Sequence, residues 1–425
     1  MIVVPFTLPS ASVFWGGRRM YEDRAPDSVW LPKRRLRALK PVWEARHGGR
    51  ADSEALGTWH CNGLVVRAAF DRLRAFDTGT GEQRWAWEVP GRDVLSAMAD
   101  EVVDGVALLA HWPDTSDGRK DATVTALDVT SGKELWSARQ NLEKLWPGAS
   151  GLRPGTVALS GERAMVATGA GVVALDMRTG RSAWTVPHGR TDEAQIRAAG
   201  DRLVLVTRRA GTTTVRSVDA ADGTVRWKKP MPVDGPVARV RIVAADPLLL
   251  AVEGEGRRGP NCVLRLDADG NAVAEISSAD DTSIAPYASW VLADGRRRVT
   301  WAGDTLIAFV RLPGYDHLAR LVGFSLSTGR HLWTWDDGRG IDALACHRGH
   351  VVALRHYEDE QEGQHVAWRC QAHVLDPADG HEVARRRLKV TRDEPYTMHL
   401  YGNRMLWVSK EGRPGTPPVK AFDWR

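Results

Sequence analysis

Cysteine is scarce in this 425-residue sequence: Cys61, Cys262, Cys346 and Cys370 are its four. They are too few and too scattered for a disulfide framework or a Cys-x-x-Cys zinc pair, so a reduced, cytoplasmic protein is expected. Long apolar runs are missing too, and nothing approaches the roughly 18 consecutive apolar residues of a membrane-spanning helix. The opening MIVVPFTLPSASVFW carries two prolines and no basic residue before it, and Arg18 and Arg19 follow it; no signal peptide is expected. Also absent are a Gly-x-Ser-x-Gly nucleophile elbow, a Gly-x-x-x-x-Gly-Lys phosphate loop and a His-Glu-x-x-His pair. Lysine is rare, 10 residues against 48 arginines. The net charge is only +5 and is spread over the chain, which argues against a nucleic-acid or membrane partner. The densest basic run, Lys33 to Lys40, reads as a solvated face within an N-terminal arm of residues 1–40.

What is abundant is repetition. LRAFDTGTGEQRW (73–85), VTALDVTSGKELW (124–136), VVALDMRTGRSAW (172–184) and VRSVDAADGTVRW (215–227) are copies of one motif. Degenerate copies follow at 263–274, 321–333 and 372–384; the first and last have lost the Trp, and the middle one the Asp. An eighth, VKAFDWR (419–425), stops at the last residue. The spacing averages about 49 residues, the size of a propeller blade.

Each part of the motif has a mechanical reason. Alternation such as Val172-Val173-Ala174-Leu175 makes a short strand. Asp-x-x-x-Gly makes a hairpin turn in which Asp caps backbone amides, while Gly81, Gly132, Gly180, Gly223, Gly270, Gly329 and Gly380 accept positive φ. A Trp four residues after the Gly, at Trp85, Trp136, Trp184, Trp227 and Trp333, sits at the same point of each outer strand and can dock between blades. If buried, its loss should cost about 3–5 kcal/mol. An apolar strand precedes each turn and weaker candidates precede those, among them Ser289–Leu292 and Ile341–Ala345, which gives four strands per blade. The eighth copy lacks its fourth strand, and Pro41-Val42-Trp43-Glu44-Ala45 has no turn of its own. Pairing residues 42–45 with 419–423 supplies Trp43 as the missing Trp and removes two sheet edges. The predicted fold is an all-β, eight-bladed propeller over residues 41–425, its last blade (about 396–425) completed by an N-terminal strand.

The pattern Ala-h-Asp-x-x-[Ser/Thr]-Gly-x-x-x-Trp resembles the tryptophan-docking repeat of the pyrroloquinoline-quinone-like propellers. That family includes quinoprotein alcohol dehydrogenases and the propeller lipoprotein of outer-membrane assembly. For the dehydrogenases the resemblance would imply a quinone beneath adjacent cysteines and a calcium held by Glu, Asn and Asp. Adjacent cysteines do not occur here, nor does a lipid-bearing Cys after a signal; no quinone or other cofactor is expected.

In such a ring the Asp-x-x-x-Gly turns line one face and the other connections line the opposite one. Here the turns are minimal, whereas 111–122, 253–261, 311–320, 355–368, 409–418 and the inter-blade link 139–151 are long. Elaborated loops on a rigid scaffold are where recognition resides, although neutral insertion would look the same. The functional expectation is a noncatalytic, monomeric scaffold that offers this face to a protein or peptide. An enzyme of specialised metabolism, a lyase, cyclase or hydrolase with a pocket at the channel mouth, is the alternative; its candidate residues are His60, Asp342, Tyr396 and His399, with Trp59, Tyr287 and Trp290 nearby. Core or blade-edge packing is the simpler account of these side chains, because aromatic residues dominate propeller interiors. Two metal-like groups, Cys346-His347 with His350 and His356, and Asp267-Ala268-Asp269-Gly270-Asn271, read as an ordinary strand and a turn variant, so no metal site is expected.

Overall fold

Apolar alternation at period two, cut by Asp and Gly turns, does fold into antiparallel strands. The computed structural model describes residues 38–46, 55–113, 121–141, 155–189, 193–255, 261–277, 299–312, 315–335, 341–359, 367–388, 396–410 and 416–424. Within these, thirty-two strands form eight four-stranded sheets arranged as a ring. Seven blades are consecutive: blade 1 is Ala55–Glu88, blade 2 Asp93–Asn141, blade 3 Val157–Pro187, blade 4 Glu193–Pro230, blade 5 Val237–Ser277, blade 6 Val299–Trp335 and blade 7 Ala343–Leu388. Blade 8 joins Tyr396–Tyr401, Arg404–Ser409 and Val419–Asp423 to the N-terminal strand Pro41–Glu44. Trp43 lies opposite Ala421 and Glu44 opposite Lys420, and the Ala45 amide donates to the Val419 carbonyl at 2.8 Å. The described residues from Ala38 onward form one compact unit, and no helix long and apolar enough to cross a membrane occurs among the described residues.

Blade 6 differs from expectation in its innermost strand, which is Val299–Ala302. The expected Ser289–Leu292 lies outside the described residues. Val299-Thr300-Trp301-Ala302 is short and follows Arg296-Arg297-Arg298, which hides its alternation. Several connections read as loops are partly strand. The second and third strands of blade 7 run on to Asp359 and from Ala367, and blade 6 is similarly extended by Thr305–Leu312 and Tyr315–Ser325.

The core is divided among the seams. Eight apolar clusters occupy the eight inter-blade spaces, from Leu73, Leu95 and Leu109 between blades 1 and 2 round to Val65, Phe76 and Leu406 between blades 8 and 1. At the outer rim of six seams one blade's Trp lies against the next blade's turn. The indole N–H of Trp43 donates to the Thr78 carbonyl at 3.0 Å, Trp85 to Val129 at 2.7 Å, and Trp136 to Met177 at 2.8 Å. Trp184 reaches Ala221 at 3.1 Å, Trp227 Ala268 at 2.6 Å, and Trp333 Pro377 at 2.8 Å. The ring covers the turn glycine so closely that a Cβ on Gly132 would lie 2.5 Å from Trp85 Cδ2. Trp136 and Trp333 are buried and the other four half-buried, so only those two fit the full cost of a buried aromatic.

The two seams without a Trp are closed differently. Ala274 stands at the Trp position of blade 5, and there the backbone itself moves in: a Cβ on Gly329 would meet the Glu275 carbonyl oxygen at 2.5 Å. Ala384 stands there in blade 7. Leu39, just ahead of the closing strand, fills that seam, its amide donating to the Arg387 carbonyl at 2.7 Å beside a parallel bridge to Leu388.

Two glycines separate the contributions of strain and packing. Gly132 (φ 70°) and Gly91 (φ 67°) share a left-handed backbone, but nothing lies within 4 Å of a Cβ on Gly91. Gly91→Ala should cost about 1–2 kcal/mol from backbone strain alone, and Gly132→Ala a further ~1–3 kcal/mol from the indole clash, both read by urea unfolding. Equal costs would mean that the indole is not seated on the turn. Deleting residues 1–46 should lower the unfolding midpoint far more than either.

Candidate functional site

Strand alternation decides where the residues nearest the axis point. Successive side chains of an innermost strand face the two neighbouring blades in turn. Trp59 faces blade 2, its indole N–H donating to the Ala99 carbonyl at 2.7 Å. His60 faces blade 8, where its ring lies 4.9 Å from that of His399 and stacks 5.6 Å from Tyr401. His399 Nε2 is 2.9 Å from the Thr397 hydroxyl. His60 and His399 are therefore brought together in a seam, with Tyr401 as a third member that the sequence reading missed. Tyr396 turns the other way, against Trp407 at 5.3 Å and below the Lys420 ammonium. Asp342 heads the innermost strand of blade 7, its amide bonded to the Leu354 carbonyl; burial, and secondarily this carboxylate, push the Cys370 thiol up. Tyr287, Trp290 and His356's side chain lie outside what is described.

Cys346, His347 and His350 do not form a metal-binding group. Among the described residues, Asp376, Asp379 and His381 alone have ligand atoms all within 4.8 Å of one another. That trio is a repeat turn, and Asp379 is engaged there by the amide and ring of His381. The Asp267 loop is likewise used up by its own turn: the Asp267 carboxylate accepts from the amides of Asp269 (3.0 Å) and Asn271 (2.8 Å) and from the Asn271 side chain (3.0 Å), which holds it below the usual carboxylate range.

Of three buried histidines at the seams that the sequence did not single out, two stand beside carboxylates of their own blade. In blade 2 a polar track crosses all four strands, with one residue from each of the first three and two from the outermost. Asp93 Oδ2 lies 2.7 Å from His111 Nδ1, His111 Nε2 is 3.2 Å from the Thr125 hydroxyl, and Thr125 is 2.9 Å from Ser137, which donates to Glu134 at 2.6 Å. Trp87 of blade 1 presents its ring to His111 at 6.1 Å. In blade 7, His373 Nδ1 lies 3.0 Å from Glu382 Oε2, and Trp335 of blade 6 covers the imidazole at 5.0 Å. Both tryptophans stand two residues beyond a docking Trp, on the same face of the strand. A Trp-x-Trp pair was the available signal.

On the long-connection face, the middle hairpins of blades 6 and 7 both outrun their flanking strands, and in blade 7 the two paired segments are symmetric. Blade 7's first strand pairs no further than Leu354, and its fourth no further than Cys370, whereas the middle hairpin continues through Tyr357 opposite Arg369 to Asp359 opposite Ala367. This is a two-stranded ribbon standing off a four-stranded blade, with edges that no described strand pairs.

The sequence matches the family model described as outer membrane protein assembly factor BamB over residues 36–209 and 120–351. No curated protein matches it. Among solved structures it is similar to BamB from Moraxella catarrhalis, with 17% identity and a TM-score of 0.51 over 92% of this chain and 98% of that one. Sqt1 from Saccharomyces cerevisiae gives 10% identity and a TM-score of 0.52 over 91% and 98%. At such identities the likeness to these structures is one of fold.

Glu382 gives this region a pH signature. Burial opposes its ionisation, but hydrogen bonds from His373 and Arg385 outweigh that and bring the carboxyl down to about 2. A depressed acid stabilises the fold above its unfolded pKa, and the stability is lost as pH falls through the folded value. Glu382→Gln should therefore destabilise by about 1–3 kcal/mol near neutrality, with the difference from the parent shrinking from about pH 4.5 towards pH 2. A difference constant across that window would remove Glu382 as its source.

Proposed function

Because the chain belongs to the BamB family of PQQ-like propellers, we propose that it is a noncatalytic scaffold that holds a protein or peptide on its long-connection face. The family is named for a factor in outer-membrane protein assembly, and the propeller scaffold is what this chain shares with it. The observation that carries the reading is the blade 7 ribbon. Its paired segments Tyr357–Asp359 and Ala367–Arg369 extend past both flanking strands. An extended peptide can add to such an edge through main-chain hydrogen bonds, with side-chain pockets supplying specificity. Contrast between the faces supports the same side: each Asp-x-x-x-Gly turn spends its carboxylate on its own amides, as Asp77 does on Gly79 and Thr80, and leaves little to offer a partner. A reducing compartment and a cofactor-free monomer belong to the same proposal, and four unpaired thiols are compatible with it.

His356 and Cys370 lie directly opposite each other where the ribbon begins, so residues 357–369 can be replaced by Asn-Gly, the preferred two-residue hairpin turn. The trimmed protein should melt with the parent and lose about tenfold or more of whatever partner the parent captures from host extract, a change of roughly 1.4 kcal/mol. Lys133→Glu, on the minimal-turn face, should capture normally. Undiminished capture after trimming, or a parent that captures nothing, would overturn the proposal.

A further inference from the structure

Two arginines whose guanidinium is pushed down by burial, Arg241 and Arg216, differ in what faces them. Arg241 is desolvated, but Glu193 stands 3.7 Å from its Nη1. Arg197 crosses from blade 4 to Asp100 of blade 2 at 2.9 Å. Arg216, in the third strand of blade 4, is pushed below the usual guanidinium range by burial alone, and no described carboxylate opposes the shift. Its Nη1 donates to the Pro187 carbonyl at 3.1 Å, while its Nε is buried with no partner among the described residues.

The next residue along blade 3's outer strand is His188, 9% exposed. It continues the face that carries Trp184 and Val186 and so looks across the seam to Arg216. Its Nδ1 lies 2.8 Å from the Gly189 carbonyl, and its Nε2 is buried and unpartnered among the described residues. Burial, and then Arg216, push the imidazole below its ordinary value, while the carbonyls of Gly189 and Thr168 pull the other way. Lys228 pairs with Arg216 across the outer strands of blade 4, which puts it on the same face. The hairpin turn beside His188 presents Thr168, Ala170 and Gly171, which carry no charge. A guanidinium and an imidazole nitrogen thus meet at this seam, with Lys228 on the same face as Arg216, and no carboxylate among the described residues pairs with them.

We propose that this part of the seam is an oxyanion seat, taking a carboxylate or a phosphoryl-like group between Arg216 and His188. The planar guanidinium offers its free Nε edge to the anion. With Nδ1–H committed to a carbonyl, Nε2 of the neutral ring is an acceptor, so the imidazole must gain a proton there before it can donate to the anion. Occupancy and protonation of His188 are thereby coupled, and the seat fills more readily in acid. This inference is independent of which face binds a protein.

The test is an NMR titration of the His188 ring, assigned with His188→Gln, at constant ionic strength in chloride, in acetate and in sulfate. A seat of this kind raises the His188 pKa by about half a unit or more in acetate or sulfate relative to chloride, which corresponds to binding about threefold tighter to the protonated form. Arg216→Gln should abolish the rise and Arg216→Lys should weaken it, with melting curves confirming that both variants fold. A rise in acetate alone identifies a carboxylate source, and one in sulfate alone a tetrahedral, phosphoryl-like source. Identical titrations in all three salts, or a rise that survives Arg216→Gln in folded protein, would overturn the seat.

Discussion

One contact organises the ring: an indole laid flat on the turn of the following blade. Every part of the motif is needed to make it. Glycine keeps the turn open at positive φ and bare of a Cβ, the preceding Asp fixes the turn by capping its amides, and the indole N–H finds a carbonyl in that same turn, as Trp85 does at Val129. Since the donor blade and the acceptor turn belong to successive copies, each repeat is finished only by its neighbour, which is why isolated repeats of this type do not bury a core.

The two exceptions show what the indole does. Where blade 5 has Ala274, the backbone at Glu275 closes on Gly329 directly, so the Trp acts as a spacer as well as an anchor. Where blade 7 has Ala384, the following blade has no turn at all, because its outer strand comes from the other end of the chain. Leu39 and the closing strand then do two jobs at once. They complete the sheet of blade 8 and occupy the gap beside Leu388. Closure is thus concentrated in a few residues from Leu39 to Ala45, and the ring gains cooperativity by tying its first and last blades through Trp43 and Thr78.

Blade number, strand order within blades and the split eighth blade were legible because period-two alternation and the Asp-Gly-Trp spacing are local signals that survive repetition. The innermost strand of blade 6 was not, since four residues beside an arginine run carry too little alternation to stand out. Strand extension in blades 6 and 7 was hidden because polar residues such as His356, Tyr357 and Glu358 look like loop until a partner strand pairs with them. Of the candidate residues, His60 and His399 do meet, and Tyr401 meets them. What sequence could not provide is the direction of their side chains. Position near the axis suggested the channel, but alternation about a radially arranged sheet turns them into the seams.

That geometry changes how polar residues in this fold are to be read. A histidine buried among strands, such as His111 or His373, is held at Nδ1 by a carboxylate of its own blade and roofed by a Trp of the preceding one, so its surroundings describe packing even where, as at His373, Nε2 stays without a partner. Departures from that satisfaction are more informative than the presence of a histidine. Arg216 and His188 depart from it, since burial disfavours both charges and no acid among the described residues compensates. The blade 7 ribbon departs from it in backbone terms, because its strands outrun the sheet that would pair them. Both departures sit at rims, where one blade's sheet ends before the next begins. In a ring whose interior is committed to holding itself together, those ends are where groups remain for another molecule to use.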